Sequence, residues 1–162
     1  MSMRGTAAAL LSASGAAMVV AGPVLAAMGG KGRAQIRAEL RRQVITFPDK
    51  GLPGELAAQA GRQVLTGPQA RMFAEVIGRN VAQATGGRTY AEVSAELLAT
   101  DEDDPKLAAL RQTAFTGQML RAGLLNAYQA WQVTSLVIGL GGLLTGAGAA
   151  LLATGAVLAQ DR

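Results

Sequence analysis

The side chains able to do chemistry in this chain are carboxylates and guanidiniums, because the sequence holds no histidine and no cysteine. That removes the commonest general base and metal ligand, along with thiol nucleophiles, thiolate metal sites and disulfides. Three clusters remain. Glu92 and Glu96 lie one helical turn apart, but no base or nucleophile accompanies them. Thr89-Tyr90-Ala91-Glu92 has the spacing of a capping box, in which threonine and glutamate satisfy each other's backbone amides at a helix start. Asp101-Glu102-Asp103-Asp104-Pro105 is the densest acidic run. It lacks the alternating oxygen ligands, central glycine and distal glutamate of a calcium loop. Acidic residues and a proline at a helix N-terminus, favoured by the helix dipole, explain it better. Arg33, Arg37 and Arg41 recur every four residues. Such a stripe suits anionic lipid headgroups, but an ordinary solvated face beside a membrane explains it better. No catalytic residue, cofactor site or metal site is assigned, and an enzyme is the disfavoured class.

The elements that carry these clusters are set by two uncharged apolar runs, Gly5 to Gly30 and Ala122 to Gln160, the second with its apolar core from Val133 to Leu158. Each exceeds the roughly 20 residues a helix needs to cross about 30 Å of hydrocarbon. Charged residues make up 16% of the chain, against about 25% for an ordinary soluble domain, a deficit that two spans explain. The reading is an all-α membrane protein in which two transmembrane helices flank a small helical extramembrane domain. The divisions are 5–30 for the first span, 31–121 for the domain, 122–132 for an interfacial segment and 133–158 for the second span. A secretory signal peptide also begins with a basic residue and an apolar run, with Val24 and Ala26 at the small-residue positions of a cleavage site. The run is longer than a signal core, which favours a retained helix. Pro23 is expected to kink it.

Between the spans, Lys31 to Ile45 predicts an amphipathic helix with Ile36, Leu40 and Val44 on one face. Phe47-Pro48-Asp49-Lys50-Gly51 reads as a turn, and Glu55 to Ala60 as a short helical turn. Thr66-Gly67-Pro68 marks a helix start, and Gly86-Gly87 a left-handed cap. Val93, Leu97 and Leu98 give the helix after Thr89 its apolar face. From Lys106 no strong breaker precedes the second span, which predicts one long helix. No period-2 alternation appears, so no sheet is expected.

Tyr128 and Trp131 sit where aromatic belts meet the headgroups. Gly142 and Gly146 form a GxxxG pair, extended by Ser135 and Gly139, and the first run offers Ser12, Gly15 and Ala16. These small residues predict that the spans pack as an antiparallel hairpin, with association to a second copy or a neighbouring protein as the other use of the same surface. Sidedness meets conflicting signals. Lys31, Arg33, Arg37, Arg41 and Arg42 after the first span favour a cytoplasmic domain, yet the positive-inside rule weakens for loops longer than about 60 residues. The signal-like N-terminus tips the expectation toward a multi-pass protein of the cytoplasmic membrane with its middle domain outside.

Gly86-Gly87-Arg88-Thr89-Tyr90-Ala91-Glu92 resembles a recurrent pattern in small two-span membrane proteins of actinobacteria. Ile45-Thr46, Thr66-Gly67-Pro68, Asp104-Pro105 and Leu120-Arg121 match it too, so the resemblance runs from Ile45 to the second span. Such proteins often carry the label "aromatic ring-opening dioxygenase". That chemistry usually holds non-haem iron with two histidines and a carboxylate. With no histidine here, no catalytic site is carried over.

Two functions follow as expectations. One is a non-catalytic accessory or partner-binding envelope protein, alone, as a homo-oligomer or within a larger membrane complex. The other is a lipid- or ligand-binding module using the basic helix after the first span. The net charge is +4, but the basic residues are scattered and aromatics are few, so membrane lipid rather than nucleic acid is the expected partner.

Overall fold

The computed structural model describes residues 3–100 and 104–160. Over these residues the chain is helical, without a β-strand. The elements are α1 (Met3–Arg42), a 3-10 helix (Gly54–Gln59), α2 (Gly67–Thr85), α3 (Tyr90–Ala99) and α4 (Pro105–Gln160).

Local chemistry sets the helix ends. Thr66 is extended and its hydroxyl accepts from the Gln69 N–H, with Pro68 in the first turn of α2, where a missing N–H costs nothing. Gly86, at φ 63°, ends α2 in the left-handed region, and the Gly87 N–H donates to the Ala82 carbonyl at 2.7 Å. The capping box of α3 is formed: the Glu92 N–H donates to Thr89 Oγ1 at 3.2 Å, and Glu92 Oε2 accepts from the Thr89 N–H at 2.7 Å. Asp104 opens α4 by accepting from the Lys106 and Leu107 N–H groups at 2.8 and 3.2 Å. Asp101, Glu102 and Asp103 of the acidic run lie outside the described residues.

Three features of this stretch differ from the sequence reading. The basic stretch after the first apolar run is no separate helix, since α1 continues from Met3 through Pro23 to Arg42. Val44 leaves the predicted apolar face: it stands past the end of α1 at φ 51° and is 70% exposed. Ile45, one residue on, packs on the core instead. Phe47, which opens a turn in the sequence reading, is 1% exposed. Its N–H donates to the Arg62 carbonyl at 2.9 Å, and the Val64 N–H donates to the Ile45 carbonyl at 2.8 Å. This antiparallel bridge is too short to be a strand.

The chain divides into two compact units, one of Met1–Gln35 and Gln132–Arg162, the other Ile36–Trp131. In the second, Phe47 meets Phe73 edge-on at 5.1 Å, inside a core with Leu40, Leu56, Val64, Val76 and Leu124.

The first unit is an antiparallel pair of helix segments with a seam of small residues. Ala8, Gly15, Gly22 and Gly29 are buried at seven-residue intervals on α1, as are Gly141, Gly148 and Gly155 on α4. Gly15 faces Gly148 and Gly22 faces Gly141, so one register falls as the other rises. A seven-residue repeat keeps the same positions facing along a left-handed supercoil. The fit is close: a methyl on Gly148 would stand 2.7 Å from the Gly15 carbonyl oxygen and 2.8 Å from the Val19 nitrogen. The hairpin therefore forms through other glycines than Gly142 and Gly146. A methyl at Gly139, Gly142 or Gly146 would meet nothing within 4 Å, so these three face away from the seam. Ser135 is at its edge and accepts from Arg33 Nη2 at 2.7 Å.

Candidate functional site

The Ile36–Trp131 unit holds an apolar groove of about 590 Å³. Its walls come from the end of α1 (Ile36, Leu40), from α2 (Phe73, Ile77) and from α4 (Met119, Leu120, Leu124, Ala127). Each helix turns one apolar stripe inward; the stripes meet in the core that holds Leu40 and Leu124, and the groove opens beside that contact. Gly123 leaves part of the gap, since a methyl there would find nothing within 4 Å. Leu40 and Leu124 are buried at its base, whereas Met119 and Leu120 are 57% and 55% exposed. Solvent-facing leucine and methionine beside a concavity of this size fit a binding cleft better than a packing defect.

Glu39, Gln43 and Asn126 are the polar groups of the lining. The Glu39 carboxylate accepts from the Arg42 guanidinium and, at 3.3 Å, from the Gln43 amide. The bond from Arg42, then that from Gln43, hold its carboxyl below the usual carboxylate range. Glu39 is thus an ionised hydrogen-bond acceptor at neutral pH. Among the described residues no three carboxylates converge as a metal site. What the groove can do is exclude water from an apolar chain while its polar groups meet a head.

The arginines of the basic stripe have separate tasks. Arg33 donates to Ser135. Arg37 lies 5.9 Å from the ring centroid of Trp131, a cation–π contact. Arg41 is exposed, and its carbonyl accepts from the Gln63 amide at 3.2 Å. Of the interface aromatics, Trp131 packs over Gly67, and Tyr128 accepts from Arg71 Nη1 at 3.3 Å. Glu96 pairs with Arg88 at 2.6 Å, and Glu92 is spent on its cap.

Sequence reasoning overlooked two features. The heptad of small residues was visible in both apolar runs, as glycine or alanine every seventh position. The groove was not, because its walls are far apart in sequence and Gly123 by itself reads only as a helix weakness. No family model, no curated protein and no solved structure matches this chain.

Proposed function

We propose that this is a non-catalytic integral membrane protein: α1 and α4 cross the bilayer as a glycine-packed hairpin, and the Ile36–Trp131 unit receives the acyl chain of a membrane lipid in its groove. One observation carries the membrane reading. Both helices are long and apolar enough to span, and only 17% and 11% of their most apolar stretches are buried. Glycines fill the inside of the pair while Leu10, Val20, Val24, Met28, Val133, Leu136, Leu140, Leu143 and Val157 point outward, each more than half exposed. Burying a large apolar side chain gains about 1.5–3 kcal/mol, so leaving these in water forgoes on the order of 10 kcal/mol. That rivals the whole stability of an ordinary domain, about 5–15 kcal/mol. In a bilayer nothing is forgone, and close backbone approach through small residues is the usual basis of helix association.

The groove supports the ligand class by its apolar walls and its few polar groups. The sidedness proposed for the Ile36–Trp131 unit is extracytoplasmic.

Alkaline carbonate washing of cell membranes tests the anchor: the protein should stay in the pellet, and release into the wash would refute it. Photoactivatable fatty-acyl lipid should then cross-link within the groove, and Gly123→Trp should abolish that labelling without releasing the protein. Equal labelling of Gly123→Trp would remove the acyl-chain reading. With single cysteines at Ala58 and Ala109, both exposed, a membrane-impermeant maleimide should label intact cells. Protection until permeabilisation would reverse the sidedness.

A further inference from the structure

A second cleft in the Ile36–Trp131 unit, about 450 Å³, lies among α2, the turn before α3, and α4. Its lining is rich in donors: Arg121, Arg88, Gln118 and Tyr90 border it, and no carboxylate does. Arg121 extends over Gly78, where a methyl would touch its Cζ and Nε at 3.4 Å. Any larger residue at position 78 would push the guanidinium aside. None of the ion pairs among the described residues involves Arg121. The other exposed arginines of α2 and of the turn behave differently: Arg71, Arg79 and Arg88 each have a glutamate. Arg88 gives Nη1 to Glu96 and Nε to the Thr85 carbonyl at 2.9 Å. Those two bonds fix its plane and leave Nη2 outside both.

We propose that this cleft binds a phosphoryl group, with Arg121 as the principal ligand and Arg88 as a second, pre-oriented one. The charge of Arg88 is already balanced by Glu96, so the imbalance that an anion would neutralise is the guanidinium of Arg121. The planar fork of arginine matches the oxygens of a phosphate. The Gln118 amide and Tyr90 hydroxyl add neutral donors. The group belongs to a phospholipid headgroup or to a free phosphate ester. This inference does not rest on the apolar groove, whose walls are other residues.

The test uses the full chain. In neutral detergent, inorganic phosphate is titrated calorimetrically. In nanodiscs of phosphatidylcholine with and without phosphatidylglycerol, retained lipids are counted by native mass spectrometry. Saturable phosphate binding is expected, weakened at least about tenfold by Arg121→Gln, the loss of one charge-assisted pair. Arg111→Gln, on the same helix but outside the cleft, should bind as the parent does. Gln118→Glu, a change at an exposed position, should weaken binding by placing a like charge there. Selective retention of phosphatidylglycerol that Arg121→Gln abolishes would assign the headgroup, and phosphate binding without it would assign a soluble ester. No saturable binding in either setting, or unaltered binding by both Arg121→Gln and Gln118→Glu, overturns the proposal.

Discussion

Alanine at Gly148, compared with alanine at Gly146, isolates the seam. Both positions lie within α4, so both substitutions gain the same helix propensity, about 1 kcal/mol over glycine, which cancels in the comparison. The added methyls meet different surroundings. At Gly146 nothing lies within 4 Å, whereas at Gly148 the methyl would be 2.7 Å from the Gly15 carbonyl oxygen, 2.8 Å from Met18 Cβ and 2.8 Å from the Val19 nitrogen. Two of these three neighbours are backbone atoms of α1, which cannot turn away as a side-chain end can. The helices must separate along the seam, and neighbouring pairs such as Gly22 and Gly141 loosen with them. Overpacking of this kind costs about 1–3 kcal/mol, equivalent to roughly 2–12 °C in midpoint at this chain length. The assay is the thermal midpoint of the purified protein in mild detergent, from the fraction eluting as folded monodisperse material after heating. Gly148→Ala should melt below Gly146→Ala, and Gly141→Ala should behave like Gly148→Ala. Equal midpoints for all three would mean that α1 and α4 do not pack through this heptad.

Phe47→Ala should destabilise the Ile36–Trp131 unit by about 3–5 kcal/mol, since it deletes a fully buried ring and its edge-on contact with Phe73; a loss under about 1 kcal/mol by denaturant titration would contradict the core described. Gly67→Ala should shift the emission of the one tryptophan, because the new methyl would lie 2.5 Å from Cγ of Trp131, and an unchanged spectrum would dissolve that contact. The Glu92 carboxyl is held below the usual range by the bonds from the backbone N–H and then the hydroxyl of Thr89. A depressed folded-state pKa contributes stability above the unfolded value, about 4.3, that disappears as pH falls through the folded value. The thermal midpoint should accordingly fall on acidification below about pH 4.3. Glu92→Gln, which keeps an acceptor but cannot titrate, should flatten that part of the fall, and a mutant profile parallel to the parent's would refute the assignment.

The sequence by itself determined whatever depends on a short stretch of chain. Thr66-Gly67-Pro68, Gly86-Gly87 and Thr89 to Glu92 specify helix ends because the bonds that make them reach only three or four residues. The two apolar runs specify two long helices for the same reason. The absence of histidine and cysteine removes whole classes of chemistry before any fold is known. Tertiary structure decided which face of each helix has a partner. Gly142 and Gly146 match a packing motif as well as Gly141 and Gly148 do, and both pairs are glycines in one apolar helix. Only the opposing register of α1 selects between them, through backbone distances that no local pattern contains. Phe47 looks like the start of a polar turn until residues 61–64 come back to pair with it and close the core. The groove and the arginine cleft are decided at the same level. A concavity is space that α1, α2 and α4 leave between them, and the sequence records the side chains on its walls but not the distance across it.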